Sequence, residues 1–295
     1  MFVIKLKDGL GNQMFQYALA KSLFLSIDQG VFMDIAFSQY KEDTKRQYAL
    51  DCFCVDDRIK FIDVLRIPWI FRDPASDLLK KIFIQLRLKG LFVKGWKYCL
   101  ETKCDKVFNR LSSNRLVYFD GYWQSEKYFS GYRQDILKDF TLVKTSRDFD
   151  KRAHNIKGDN SVSIHIRRGD YLTNRFASAV HPLCSLDYYS QAIELIKSKI
   201  SNPKFFVFSD DPDWVKNNLP LNKDESVIVS GSNLKDCEEL ILMSYCEHQI
   251  IANSTFSWWG AWLNKNAEKI VIAPKQWLKC DVQPKDLIPD NWIQL

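Results

Sequence analysis

Residues 2–26 have the sequence FVIKLKDGLGNQMFQYALAKSLFLS, which predicts a strand, a tight turn and a helix in succession. The apolar run 2–6 predicts the strand, and the glycines at 9 and 11 predict the turn. In residues 12–26 apolar side chains recur at three- and four-residue steps, as an amphipathic helix requires. A second strand is predicted at 31–35, and this order of elements opens a Rossmann-like unit.

The second half of the chain alternates predicted strands with predicted helices. Strict alternation indicates a parallel sheet with helices on both faces, and ligands bind such sheets where loops leave the carboxyl ends of the strands. The predicted strands lie at 162–166, 205–208, 227–229, 249–252 and 270–273, and the predicted helices at 186–199, 212–217, 234–246 and 254–264.

These two patterns predict an α/β fold with two Rossmann-like domains. A polar and highly charged stretch at 144–160 is interpreted as the approach to the domain boundary. The predicted domains are therefore an N-terminal domain, 1–150, and a C-terminal domain, 151–295. Between the two patterns, the residues from 60 onward are predicted to be mostly helical until a strand at 115–123.

The composition is that of a globular protein, with 46% hydrophobic and 26% charged residues. No run of about 20 uncharged apolar residues exists, so no transmembrane helix is predicted. The apolar run at residues 2–4 is too short for a signal-peptide core, and a cytoplasmic protein is therefore expected. Its eight cysteines include no C-x-x-C pair, and we expect them to be reduced and mostly buried, without a metal.

The formal net charge of +6 is concentrated in one segment. Residues 60–110 contain twelve Lys or Arg and five Asp or Glu, interleaved with apolar and aromatic side chains. This pattern fits peripheral contact with the anionic inner face of a membrane. The simpler interpretation is a solvated helix face whose Lys and Arg stems cover apolar surface. The aromatic residues follow core periodicity, so nucleic-acid binding is not predicted.

Four polar loops follow predicted strands. They span residues 9–13 (GLGNQ), 165–170 (HIRRGD), 209–212 (SDDP) and 253–257 (NSTFS). The last three leave strands of the same predicted sheet, and the carboxyl ends of parallel strands meet at one edge. Their joint placement predicts a ligand site more specifically than any one of them does.

The residue types in these loops favour a nucleoside diphosphate as the ligand. Arg167 and Arg168 offer guanidinium forks that match phosphate oxygens. A helix beginning near Ser254 offers free N–H groups and the positive end of its dipole. Asp210 and Asp211 are suited to accept hydrogen bonds from a guanine edge or from ribose hydroxyls.

Each motif also has a purely structural interpretation. Asp-Asp-Pro is an ordinary N-cap signal, and Arg-Arg-Gly-Asp on its own resembles a surface ion pair beside a turn. His165 fits a buried core histidine, and the tryptophans at 258, 259 and 262 fit a core better than a sugar platform. The glycine turn also suggests a dinucleotide fingerprint, but Met14 occupies the position of its third glycine.

In these segments the chain resembles the α-1,2-fucosyltransferase family of bacteria and animals. One departure is Asp8, where the family usually has a further glycine, and it affects the expected shape of the first loop. The matching segments follow the family's order along nearly the whole chain, at 9–18, 121–129, 165–171, 184–189, 208–212 and 253–263.

The resemblance implies a GT-B-type glycosyltransferase, with two Rossmann-like domains facing a central cleft. It implies that the C-terminal half binds GDP-fucose and that the N-terminal domain, 1–150, is on the acceptor side. It also implies that fucose passes to the 2-hydroxyl of a terminal galactose in a glycan, with inversion. It implies neither a metal nor a cofactor. The implied setting is the synthesis of a bacterial surface polysaccharide.

The resemblance also implies roles for individual residues. Arg167 corresponds to the arginine that contacts the pyrophosphate, with Arg168 beside it. His165 and one of Asp210 and Asp211 correspond to guanosine contacts. Residues near the phosphates are Ser254, Thr255, Phe256 and Ser257, with Gly11 and Asn12 facing them across the cleft.

The general base stays open among several residues. Asp170 is one candidate, although it also fits a brace for the arginine loop, and His181 and Glu126 are others. Base-free transfer, in which the departing phosphate takes the proton, is a further alternative.

Two other functions are compatible with the sequence. Asp211-Pro212-Asp213 fits the D-x-D pattern of metal-dependent glycosyltransferases that use another nucleotide sugar. A carbohydrate-binding protein without enzymatic activity, using the tryptophans, is the non-enzyme alternative.

Overall fold

The structure of the protein is a computed structural model. It describes residues 1–27, 29–35, 47–62, 67, 71, 91–93, 96–101, 116–156, 158, 160–231, 233–281 and 283–295. The chain forms two compact units, Met1–Thr141 and Leu142–Leu295. Most of the basic segment 60–110 lies outside the described residues, and with it the predicted membrane contact.

The first unit is built on a six-stranded sheet with the order β3-β2-β1-β6-β5-β4. Its strands pair in parallel except for β4 and β5, which pair antiparallel. The strands are β1 (Phe2–Lys5), β2 (Val31–Asp34), β3 (Lys60–Phe61), β4 (Leu91–Val93), β5 (Trp96–Leu100) and β6 (Leu116–Asp120). The described helices are α1 (Leu10–Ser26) and α2 (Arg133–Asp139), with short 3-10 turns at Leu50–Cys52, Glu126–Tyr128 and Ser130–Tyr132.

The opening strand, turn, helix and strand are confirmed, but the helical prediction for the middle of the chain is wrong at β4 and β5. Lys97 and Val117 are register partners across β5 and β6, so this part extends the sheet. The two apolar runs are short, and whether such runs form strands or a helix depends on pairing with other strands, here β4 with β5 and β5 with β6. Cys99 within β5 is disulfide-bonded, whereas we expected reduced cysteines.

Two buried glutamines of α1 hold the loops around the glycine turn. The Gln13 amide donates to the Asp8 carbonyl at 2.8 Å and its oxygen accepts from the Ala49 amide at 3.0 Å. The Gln16 oxygen accepts from the Lys7 amide at 2.9 Å. Both side chains are fully buried, so these bonds satisfy backbone groups that water cannot reach.

Asp8 adopts the left-handed backbone conformation, with φ of 63°. Glycine reaches this region without steric cost, and Asp is among the residues that tolerate it best. Asp8 therefore adopts a backbone conformation that a glycine would also accept at this position of the turn.

The second unit contains a six-stranded, fully parallel sheet with the order β12-β11-β10-β7-β8-β9. Its strands are β7 (Ser161–Ile166), β8 (Lys204–Ser209), β9 (Ser226–Ile228), β10 (His248–Ile250), β11 (Val271–Ala273) and β12 (Ile293–Gln294). Its described helices are α3 (Arg147–Ile156), α4 (Gly169–Thr173), α5 (Arg175–Val180), α6 (Leu186–Lys199), α7 (Pro212–Asn218), α8 (Asp236–Tyr245) and α9 (Thr255–Leu263).

The predicted strands and helices of this half are confirmed, and α6 has the predicted bounds. The polar stretch 144–160 contains α3, which we did not predict. Its buried side chains, Phe149, Ala153 and Ile156, are spaced along one helical face. The sequence-based division at residue 150 therefore falls inside a helix of the second unit.

The core of the second unit lies on both faces of β7. Val162, Ile164 and Ile166 pack with Tyr189 and Ile193 of α6 on one face. Each such side chain contributes about 1.5–3 kcal/mol when it leaves water. The tryptophans of α9 are also buried, which confirms the core interpretation, since Trp258, Trp259 and Trp262 are 0%, 0% and 2% exposed.

No helix in the described parts of the chain is both long enough and apolar enough to traverse a lipid bilayer.

A buried ion cluster ties α1 to the rest of the first unit. The Lys21 ammonium lies 2.7 Å from Asp56 and 2.8 Å from Asp139, and all three side chains are less than 10% exposed. The Tyr17 hydroxyl donates to Asp139 at 2.6 Å. Removing the cation would leave two carboxylates in a site that water does not solvate.

We expect Lys21→Met to lower the free energy of unfolding by about 3–5 kcal/mol, because Asp139 loses the charge of Lys21 and Asp56 keeps only its contact with the exposed Arg58. Urea unfolding followed by circular dichroism measures this. The control is Lys216→Met, whose exposed pair with Asp213 is expected to change stability by less than about 0.5 kcal/mol. A loss below about 1 kcal/mol for Lys21→Met would contradict the role of the cluster.

Candidate active site

Three loops of the second unit meet at the carboxyl edge of its sheet. Arg167 and Arg168 follow β7, Asp210 and Asp211 follow β8, and the segment 251–254 follows β10. Because β7 pairs with both β8 and β10, these loops are neighbours, as predicted.

Arg167 is held in place by two carboxylates. Its Nε donates to Asp170 at 2.9 Å, one terminal nitrogen lies 2.8 Å from the same carboxylate, and the other lies 3.2 Å from Asp210. Burial alone would lower the pKa of Arg167, but the bond to Asp170 and the charge of Asp210 raise it. The guanidinium is therefore permanently charged and fixed, and it keeps further N–H groups beyond these three contacts.

Arg168 is fixed in a different way. Its guanidinium lies 3.9 Å from the centre of the Trp214 ring, and its Nε lies 3.3 Å from Asp211. Asp211 also accepts from the Trp214 amide, so it caps α7 as the Asp-Asp-Pro interpretation predicted. The terminal nitrogens of Arg168 have no hydrogen-bond partner within the described residues.

Gly169 allows the two strand ends to approach. A Cβ at this position would lie 3.0 Å from the Asp210 carboxylate oxygen and 3.2 Å from its carbon. Asp210 also accepts from the Arg168 amide at 2.8 Å. Asp210 therefore bridges the loop after β7 and the loop after β8.

The sequence suggested a positively charged cluster, but the cluster has no net positive charge. Two guanidinium groups face three carboxylates, those of Asp170, Asp210 and Asp211. An anion at this edge would be attracted by the remaining N–H groups of fixed arginines, and not by an excess of positive charge.

The start of α9 adjoins the arginine cluster through Tyr171. The Tyr171 hydroxyl donates to the Asn253 carbonyl at 2.9 Å, and Arg167 lies 6.0 Å above the Tyr171 ring. Ser254 caps α9 by accepting from the Phe256 amide at 3.3 Å. Within the described chain this leaves the amide of Thr255 without a partner at the positive end of the helix dipole.

The predicted site residue Ser257 has structural contacts instead, and so does Asn253 at the start of the loop. The Ser257 hydroxyl is buried and donates to the carbonyls of Ala252 and Ser254. The Asn253 amide donates to the carbonyls of Pro182 and Trp277. Ser254 and Thr255 therefore remain the residues of this loop best placed for a phosphate.

His165 is buried beside the cluster, with its ring 5.6 Å from that of Phe256. Its Nδ1 has no hydrogen-bond partner in the described part of the structure. Burial, together with the positive charge of Arg167, lowers the pKa of His165 to about 3. The imidazole is therefore neutral at physiological pH.

Gly11 and Asn12 belong to the first unit, in the first turn of α1. Gly11 is buried, and Asn12 accepts a hydrogen bond from Gln124 at 2.8 Å. Their predicted contact with the donor phosphates remains a prediction.

Sequence reasoning missed Glu239, a partly buried carboxylate at the carboxyl edge of β8 and β9. It accepts from the Ser230 hydroxyl at 2.7 Å, and Ser230 in turn accepts from the Ser209 amide, next to Asp210. Burial raises the pKa of Glu239. The preceding Glu238 caps α8, and nothing in the sequence distinguishes these two adjacent glutamates.

The D-x-D pattern does not form a paired carboxylate site. Asp211 is occupied by Arg168 and the start of α7, whereas Asp213 is 89% exposed and lies 3.0 Å from Lys216. The described residues include no group of three or more His, Cys, Asp or Glu side chains arranged to hold a metal ion.

This fold and this site define a glycosyltransferase of the GT-B type. The crystal structure of fucosyltransferase NodZ from Bradyrhizobium is similar, with a TM-score of 0.54 over 88% of this chain and 92% of that one. Its sequence is 15% identical, so the likeness concerns the fold. The predicted α/β fold class is confirmed.

The sequence matches glycosyl transferase family 11 over residues 1–295, and the chain belongs to this family. It is 34% identical over 298 residues to an alpha-1,2-colitosyltransferase of Escherichia coli, covering 99% of this chain and 98% of that protein. It is 28% identical over 272 residues to galactoside 2-alpha-L-fucosyltransferase Sec1 of Mus musculus, covering 89% of this chain and 64% of that protein. The resemblance seen in the sequence motifs and the prediction of an enzyme are confirmed.

The low pKa of His165 predicts a pH-dependent stability. An unfolded histidine has a pKa near 6.5, so protons bind the unfolded state first as the pH falls from 6.5 towards 3. The stability contributed by the neutral ring is complete above pH 6.5 and is lost below it, by about 1.4 kcal/mol per pH unit.

We therefore expect the wild type to lose about 2 kcal/mol more than His165→Asn between pH 7 and pH 5, as measured by urea unfolding at both values. Comparison with the variant removes the contribution of the carboxylates, which titrate in both proteins. Equal losses in the two proteins would mean that the ring is protonated in the folded state.

Proposed function

We propose that the protein transfers L-fucose from GDP-fucose to the 2-hydroxyl of a terminal galactose in a glycan, with inversion and without a metal. The observation that carries this proposal is the pair of fixed arginines beside the start of α9. These groups supply directed N–H donors where a nucleoside diphosphate would leave. Membership of family 11 and the printed activities of the relatives support the sugar and the acceptor.

The departing diphosphate is stabilised by Arg167, Arg168 and the amide of Thr255. Arg167 is immobilised before the donor binds, so little reorganisation accompanies the development of charge on the leaving group. In the reaction the bond between fucose C1 and the β-phosphate oxygen breaks and its electron pair stays on GDP. The acceptor oxygen bonds to C1 from the opposite face, and its proton goes to a base or to the phosphate.

Glu239 and His165 are proposed guanosine contacts, with Asp210 or Asp211 beside them. The N1–H and amino group of guanine form a donor edge, which a carboxylate matches with two oxygens. Glu239 uses one oxygen to accept from Ser230, and its other oxygen has no partner among the described residues. The neutral ring of His165 is suited to a nucleoside and adds no charge at the base.

Asp170 is proposed as the residue that positions Arg167. Both of its oxygens contact the guanidinium, at 2.9 and 2.8 Å, so neither is free to take a proton from the acceptor. This favours the brace over the general base among the alternatives left by the sequence.

The two rival functions find less support. The exposure of Asp213 separates it from Asp211, so the D-x-D enzyme lacks its paired ligands. The tryptophans of α9 are buried and offer no platform for a carbohydrate-binding protein. We propose a cytoplasmic setting, in the synthesis of a bacterial surface polysaccharide, with peripheral membrane contact through the segment 60–110.

The direct test is incubation with GDP-fucose and a panel of galactosides, with products read by mass spectrometry and linkage analysis. GDP-colitose, whose sugar lacks the 3-hydroxyl of fucose, is the matched competing donor because one relative is a colitosyltransferase. We expect a fucosylated galactoside linked through O2, formed equally well in EDTA. Transfer from GDP-colitose alone would refute the donor, and activity restored only by Mn²⁺ would support the metal-dependent rival.

In the same assay we expect Arg167→Ala to lower kcat by at least about 100-fold, because a fixed donor to the leaving group is lost. Circular dichroism checks folding, and Lys216→Ala is the control that removes an exposed cation of the same unit. Near-normal turnover of a folded Arg167→Ala protein would exclude the proposed role.

We expect Asp170→Asn to lower kcat by roughly 10-fold or more while leaving GDP affinity unchanged or tighter, because a negative charge is removed and Arg167 loses its orientation. Calorimetry with GDP and the pH profile of kcat are the measurements, and Asp213→Asn is the control. A positioning role predicts a pH profile of unchanged shape. Loss of its acidic limb would identify Asp170 as the base instead.

A further inference from the structure

A second constrained loop lies in the first unit, after β6. It comprises residues 121–124 (GYWQ), and its backbone is hydrogen-bonded to the side chain of Glu101. The Glu101 carboxylate accepts from the amide of Tyr122 at 2.7 Å and from that of Gln124 at 3.3 Å. A Cβ on Gly121 would lie only 2.6 Å from the Cβ of Glu101, so the backbone approaches this side chain as closely as glycine permits.

Trp123 makes this loop unusual. Its φ is 58°, a conformation that bulky side chains rarely adopt, and its ring is fully buried. Such a backbone persists only where the surroundings enforce it, and it concentrates at sites of function. Because Trp123 is buried and Glu101 binds the backbone amides beside it, the side chains of Tyr122 and Gln124 point outward.

The two side chains presented in this way are an aromatic ring and an amide. Tyr122 is 40% exposed between buried neighbours, and the Lys7 ammonium lies 4.3 Å from its ring centre. Gln124 donates to Asn12 at 2.8 Å, which joins the loop to the first turn of α1. Within the described residues, the oxygen of Gln124 and the amide nitrogen of Asn12 make no other hydrogen bond.

These groups suit a neutral, hydroxyl-bearing ligand. The amide pair offers one acceptor and one donor in fixed positions, and an exposed ring supplies the apolar contact that a pyranose face needs. Lys7 is already bound to Asp120 at 3.0 Å, so it lies over Tyr122 as part of the support. The loop therefore differs from the arginine cluster, whose open donors suit phosphate.

We propose that Tyr122, Gln124 and Asn12 form the subsite that binds the terminal galactose of the acceptor. This inference rests on the proposed function for the identity of the sugar. It gives Asn12 a role with the acceptor in place of the donor contact expected from the sequence.

The test compares Tyr122→Ala and Gln124→Ala with the wild type. We expect the acceptor KM to rise at least 10-fold in each, with the KM for GDP-fucose within twofold of the wild type. Tyr122→Phe keeps the ring and is expected to stay within threefold for the acceptor. The control is Leu25→Ala, a 36% exposed position about 20 Å along α1 from Asn12.

Binding of methyl β-D-galactoside, followed by saturation-transfer NMR without any donor, separates this inference from the proposed reaction. Binding to the wild type that is lost in folded Tyr122→Ala and Gln124→Ala supports the subsite, even if GDP-fucose proves not to be the donor. No binding to the wild type, unchanged binding to both variants, or a rise in the donor KM in place of the acceptor KM would overturn it.

Discussion

Backbone N–H and C=O groups that leave water must find partners, and this constraint explains the buried polar residues of both units. Gln13 and Gln16 form hydrogen bonds with backbone groups of the loops around the glycine turn. Asn253 donates to two carbonyls beside α9, and Glu101 accepts from two amides after β6. Each of the four side chains also reaches a loop distant in sequence, as Gln13 does with Ala49 and Gln16 with Gly121. The backbone of these loops is consequently held by several hydrogen bonds, and residues between these anchors are left to face outward.

The electrostatic character of the candidate site follows from a similar constraint, since a buried charge also needs a partner. Burying a guanidinium without a counter-charge is expensive, and Asp170 and Asp210 supply it for Arg167. The cost is that the cluster carries no surplus positive charge. Under the proposed function, recognition of the diphosphate would depend on the direction of a few N–H groups, which favours selectivity for the geometry of the ligand over simple attraction of anions.

The sequence was most informative where predicted strands alternate with predicted helices. There β8 is a nearly continuous apolar run, whereas β7 alternates apolar residues with Ser163 and His165. It failed at β4 and β5, although two apolar runs separated by Lys94 and Gly95 are themselves a hairpin signal. The loops of the site could be predicted because strand ends attract polar residues. The contacts between these loops could not be predicted, because the contact of Arg167 with Asp210 depends on which strands are neighbours. Glu239 and Glu238 are adjacent in α8 and differ only in the direction in which their side chains leave the helix.

The close approach of Gly169 to Asp210 has a consequence for how this site can change. A side chain at 169 would push the carboxylate of Asp210 away from Arg167, because that carboxylate already fills the space beside the glycine. Natural variation at these two positions should accordingly be correlated, although 40 residues of chain separate them. Redesign of the enzyme for a bulkier or differently charged donor must then change residues 169 and 210 together.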